Sequence, residues 1–114
     1  MIEVKIYHHP QHGLTGLEAT GHAGEMPRGN NILCAAFSIL FEVLVAAAEN
    51  LPADSVEHVR DDEIPHWKLV VQPELIPSDK WRMFQHTLNS TSTVARRIVD
   101  SNTDSCRLSA VDLT

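Results

Sequence analysis

A chain of 114 residues, 43% of them apolar, is long enough for one modest hydrophobic core and short of the length at which cores split, so residues 1–114 read as a single domain. The net charge of −6 and a pI near 5.5 exclude a direct nucleic-acid binder, because phosphate contacts need clustered Lys and Arg; they suit a basic partner instead. Cys34 and Cys106 lie far apart with no C-x-x-C and no charged-then-apolar leader at Met1, which points to the cytoplasm and to reduced thiols.

Ile2, Val4 and Ile6 alternate with Glu3 and Lys5, the two-residue period of a half-buried strand. His8-His9-Pro10-Gln11-His12-Gly13 supplies turn chemistry, and Leu14 to Thr20 returns as a second strand, closing a hairpin. The histidines of that turn raise the question of a metal. A zinc site takes about four ligands, and no thiolate or second cluster is spaced to complete one, so the turn reads as solvated and no metal is expected.

Gly21 ends the second strand and His22 follows it. The connection from Ala23 to Asn30 carries Gly24, Pro27 and Gly29, the composition of an exposed loop that would meet substrate. Asn30-Asn31 is a helix-capping pair. With Asn31 as N-cap, a helix from Ile32 to Asn50 stops before Pro52, and Cys34 is its third residue. Free N–H groups and the macrodipole of a first turn favour a thiolate, the form in which cysteine is a nucleophile. Cys34 also reads as a small buried hydrophobe, being followed by Ala35, Ala36 and Phe37. Ser38, one turn on, is placed to bond back to a helix carbonyl or to approach the thiol.

The run from Ile32 to Leu51 is apolar and about 20 residues long, enough to span a bilayer. Glu42 and Glu49 oppose that, so no membrane is involved and the run is a helix buried by its own domain. Leu33, Phe37, Leu40, Phe41, Leu44, Val45 and Ala48 leave it little polar surface, so it must pack on a sheet and also on a second helix or a partner subunit.

Ser55 to Arg60 and Trp67 to Gln72 form a second hairpin around Asp61-Asp62-Glu63-Ile64-Pro65. Pro77-Ser78-Asp79 opens a second helix whose Trp81, Phe84, Leu88, Ala95 and Ile98 recur at core spacing. Ser105 to Leu113 ends as a strand with Cys106, Leu108 and Ala110 on one face, and Cys106 is read as structural. The order β-β-α-β-β-α-β defines an α+β, two-layer sandwich: a mostly antiparallel five-stranded sheet with two helices on one side.

Gly21-His22-Ala23, a short loop with Gly29, then Asn31-Ile32-Leu33-Cys34-Ala35-Ala36-Phe37-Ser38 resembles the signature of the bacterial ribosomal-processing cysteine proteases, the Prp family. The family pattern is G-H-A, a loop, then D-I-V-C-A-A-x-S. The resemblance implies the same layout, a homodimer, and a cysteine endopeptidase that removes an N-terminal extension from a large-subunit ribosomal protein, number twenty-seven; no cofactor is expected. It implies that His22 and Cys34 are the catalytic pair. One position departs: the acidic residue three before the cysteine is Asn31 here, which would cap the helix or orient His22. Two other classes stand beside this one. A non-catalytic ribosome-associated module would leave the pair merely packed, and a thiol-based redox protein would need Cys106 as its resolving cysteine.

Overall fold

Alternation at the start of the chain builds a sheet with one covered face: Ile2, Val4 and Ile6 are at most 1% exposed, while Glu3, Lys5 and Tyr7 between them point the other way. The computed structural model describes residues 1–21, 29–61 and 63–113, and of residues 29–31 the backbone alone. Its main elements are β1 (Ile2–His9), β2 (Gly13–Thr20), α1 (Gly29–Ala48), β3 (Val56–Asp61), β4 (His66–Val71), α2 (Ser78–Asp100) and β5 (Cys106–Asp112). This is the expected order and the expected α+β class. Two 3-10 turns, Ala53–Ser55 and Pro73–Leu75, were not legible from hydrophobic period, being too short to show one.

The sheet runs β3-β4-β2-β1-β5. Every neighbouring pair is antiparallel except β1 and β5. These pairings make β2 parallel to β3 and β4 parallel to β5, so each of those links is a crossover through a helix. A parallel link needs a long return, and α1 and α2 provide it on the same side of the sheet. No helix among the described residues is long and apolar enough to cross a membrane.

The core lies between helices and sheet. From α1 it takes Phe37, Phe41, Leu44 and Ala48, and from α2 Phe84, Leu88, Ala95 and Val99, all buried. Phe41 stacks on Trp67 of β4 with ring centroids 6.4 Å apart. Thr91 and Ser92 are also buried on α2, and they are tolerated because their hydroxyls donate to the carbonyls of Thr87 and Leu88.

Two expectations need correction. α1 begins at Gly29, not Ile32, so Gly29 is its first residue and not part of a loop, and Asn31 lies inside the first turn instead of capping it. First-turn residues have no intrahelical partner for their N–H groups, so Gly and Asn are tolerated there and the helix runs back past the pair. At the other end α1 stops at Ala48, before Asn50, because the chain tightens ahead of Pro52 into three-residue closures: Glu49 N–H donates to Ala46 O at 3.3 Å and Leu51 N–H to Ala48 O at 3.0 Å.

The face of the sheet away from the helices carries a polar network. Tyr7 Oη donates to Glu18 Oε1 at 2.6 Å, and His66 Nε2 lies 2.6 Å from Glu18 Oε2. Lys68 stands over the Tyr7 ring and pairs with Glu57 at 3.0 Å. Burial raises the Glu18 carboxyl, but the bonds from Tyr7 and His66 and the charge of Lys68 outweigh it and leave it below the usual glutamate value. A depressed folded pKa stabilises the native state above the ordinary glutamate range, and that contribution is lost as pH falls through the folded value. Glu18→Gln is therefore expected to cost about 1–3 kcal/mol at neutral pH, with the deficit closing as pH drops below ~4.3. Urea unfolding of both proteins across that range tests it; a deficit of the same size at pH 3 and pH 7 contradicts it.

Candidate active site

Cys34 stands on the stripe that buries α1. Positions 34, 37, 41, 44 and 48 recur at three- and four-residue spacing, and Phe37, Phe41, Leu44 and Ala48 of that series are buried. Cys34 continues the series toward the helix start, packs on the core and remains half-buried as a free thiol. One side of the residue is fixed by packing and the other is open.

With α1 starting at Gly29, Cys34 is the sixth residue of the helix, in its second turn, and not the third. The macrodipole acts mainly within the first turn, and Cys34 lies one turn beyond the place the capped reading gave it.

The neighbourhood of Cys34 is the end of the sheet where β1 and β5 begin. Ile2 pairs with Cys106, and Ile2 N–H donates to Ser105 O at 2.8 Å. Cys106 is 3% exposed. Burial pushes its thiol up, the Met1 ammonium draws it back down, and the nearby Cys34 sulfur adds to the rise. The two sulfurs therefore belong to one neighbourhood.

β2 ends at the same place. Gly21 adopts φ +98°, and a Cβ built there would lie 2.4 Å from the Met1 carbonyl oxygen, so only glycine passes between the N-terminal strand and Pro65, whose carbonyl accepts the Gly21 N–H at 3.0 Å. His22 is the next residue in the chain. His22 and Gly24 lie outside the described residues, and Asn31 is described by its backbone alone. Ser38 Oγ donates to Ala35 O at 3.0 Å, so its hydroxyl is engaged on its own helix.

Hydrophobic period and local spacing missed two groupings that sheet pairing creates. One is the Glu18, Tyr7 and His66 network. The other joins His9 and His12 of the β1–β2 turn to Glu74, which comes 62 residues after His12 and carried no signal of its own.

Residues 1–106 match the profile of a protease family, so the molecule is a cysteine protease. That family is cysteine protease Prp, and the chain belongs to it. No curated protein matches the chain. Among solved structures, the essential ribosomal processing protease Prp from Staphylococcus aureus in complex with a substrate peptide is similar at a TM-score of 0.73 and 21% identity, over 97% of this chain and 100% of that one. The same S. aureus protease with a covalently linked product peptide gives 0.66 and 21% over the same shares. A protein from Streptococcus mutans gives 0.74 and 24%, over 99% of this chain and 96% of that one. At these identities the likeness is one of fold.

The burial of Cys106 leads to a direct expectation. In the native protein at neutral pH, iodoacetamide alkylates Cys34 and leaves Cys106 unlabelled until denaturant is added, as peptide mass spectrometry will read. Equal labelling of both thiols in the native state contradicts the placement of Cys106 and reopens its use as a resolving thiol.

Proposed function

We propose that residues 1–114 act as one protease domain that removes an N-terminal extension from a large-subunit ribosomal protein, number twenty-seven, with Cys34 as nucleophile and His22 as its base. The observation that carries the reading is Cys34 itself, a free, half-buried thiol on the core-packed stripe of α1 in a chain of the Prp family. Gly21 supports the pairing, because it delivers the chain to the end of the sheet that Cys34 shares with Cys106, one residue before His22. The S. aureus structures support the substrate class: their protease processes a ribosomal component and is seen with a substrate peptide and with a covalently linked product.

In this mechanism His22 takes the Cys34 proton, and the thiolate attacks the scissile carbonyl to form a tetrahedral intermediate. The imidazolium gives its proton to the leaving amine as the C–N bond breaks, leaving an acyl-enzyme at the sulfur. Water, deprotonated by the same imidazole, then releases the carboxylate and restores the thiol. A net charge of −6 suits a lysine-rich ribosomal substrate, whose approach an acidic surface steers; the proposed place of work is the cytoplasm.

A homodimer belongs to the same proposal. Ile32, Ile39 and Val43 are 73%, 63% and 45% exposed and recur at seven- and four-residue steps along one face of α1. Such a row on a helix already covered on its sheet and α2 sides suits a second copy of the chain.

Cys34→Ala and His22→Ala are each expected to abolish cleavage of a peptide spanning the extension junction, with the fold retained by circular dichroism, while Cys106→Ser keeps activity. Asn31→Ala is expected to keep most of kcat; a fall of about tenfold or more at unchanged KM and melting temperature makes Asn31 a positioning residue for His22. Full activity in Cys34→Ala refutes the nucleophile. For the dimer, sedimentation at micromolar concentration should give a dimer for the native sequence and a folded monomer for Ile39→Asp. A native monomer removes the dimer and leaves the dyad standing.

A further inference from the structure

We propose that His9, His12 and Glu74 form a binding site for a single divalent transition-metal ion, of which Zn2+ is the natural occupant, that clamps the β1–β2 turn to the 3-10 turn leading into α2. The ligand atoms of the three side chains all lie within 4.8 Å of one another. His9 Nε2 is 3.0 Å from Glu74 Oε1, and the His9 and His12 rings stand 4.6 Å apart, tilted by 52°. Two imidazoles and one carboxylate are a donor set of borderline softness, which selects Zn2+ and its neighbours over Mg2+ or Ca2+. Three protein ligands leave the fourth tetrahedral position to water.

The fold holds each ligand from a different element. His9 ends β1, just after the register slips: Tyr7 pairs with Gly16 but His8 with Leu14, so Thr15 is the extra residue of a bulge that twists the hairpin and re-aims its end. His12 is fixed from α2, since Gln85 Nε2 donates to its carbonyl at 3.0 Å and the Trp81 ring meets its imidazole edge-on at 6.4 Å. Gly13, at φ +78°, closes the turn immediately after it. Glu74 is carried by the 3-10 turn Pro73–Leu75, in which Pro73 is buried. The backbones that carry the ligands are set by packing before any ion arrives, which lowers the ordering cost of binding.

The hydrogen bonds also show what an ion would displace. Gln11 N–H donates to His9 Nδ1 at 3.1 Å, so in the neutral ring the proton sits on Nε2 and points at Glu74. Zn2+ takes the place of that proton between Nε2 and the carboxylate, the proton passes through water to Nδ1, and the exposed Gln11 amide turns to solvent. No net proton is released by His9. Glu74 is 56% exposed on its side chain and His9 20%, so an ion can enter without unfolding the turn.

The test uses the full chain, stripped with chelator, and Zn2+ alone as the titrant. Calorimetry is expected to show one Zn2+ per chain, and His12→Asn and Glu74→Gln should each weaken it by at least about tenfold, while His58→Asn on β3 leaves it unchanged. Melting temperature should rise with Zn2+ in the native sequence and not in Glu74→Gln; the metal-free melting of each variant checks that it folds. Co2+ in place of Zn2+ should give visible bands of a tetrahedral nitrogen and oxygen site, without the near-ultraviolet band of a cobalt thiolate. No binding at micromolar Zn2+, affinity unmoved by both ligand variants, or a thiolate band that places the ion on Cys34 overturns the site. None of these outcomes bears on the protease reading, which is tested by cleavage alone.

Discussion

Burial of one stripe of α1 on the sheet is the constraint from which the rest of the molecule follows. Phe37 and Leu44 are wholly buried and Phe41 nearly so, and each such side chain contributes roughly 1.5–3 kcal/mol of transfer free energy. The exposed pair between Glu42 and Arg60, linking the same helix to β3, is worth at most about 1 kcal/mol. Apolar packing therefore sets the helix in place, and charge only trims it. Because Cys34 extends that stripe, the same packing that stabilises the core seats the thiol. A cavity under Phe37 would move the sulfur, whereas a change at Glu42 would not.

The two parallel crossovers explain why the sheet has a dry face and a wet one. Both helices lie on the side lined by Ile2, Val4, Ile6, Leu17 and Leu69, and the opposite face is left to Tyr7, Glu18, His66 and Lys68. Glu18 is only 9% exposed, and it is accommodated there because both of its oxygens are bonded. His66, which holds one of them, follows Pro65, and the Pro65 carbonyl holds Gly21. The polar face thus braces the point where β2 hands the chain toward His22.

Distance along β1 separates the thiol end of the sheet from the histidine turn. Its first residue, Ile2, pairs with Cys106 beside Cys34, and its last, His9, meets Glu74; at about 3.3 Å per residue the two lie roughly 23 Å apart. The thiol end is built from the N-terminal strand, Gly21 and β5, and the histidine end from a turn, a bulge and the approach to α2.

Read by itself, the sequence determined everything that depends on a local period or a local motif. The alternation of Ile2, Val4 and Ile6, the apolar run from Ile32, the stripe on α2 and the turn chemistry between them specify five strands and two helices in order, because burial of one face selects a two-residue or a 3.6-residue repeat. The run around Cys34 marked the family. Tertiary structure decided what local signals do not encode. The backward extension of α1 to Gly29 moved Cys34 from the first turn to the second, since Gly and Asn are as acceptable inside a first turn as ahead of it. The parallel pairing of β1 with β5 brought Cys106 to Cys34, and the pairing of β2 with β4 brought His66 to Glu18. Glu74 reached the histidine turn through the same sheet. Each of these meetings joins residues tens of positions apart, and strand register, which the core face selects only once the chain is packed, is what brings them together.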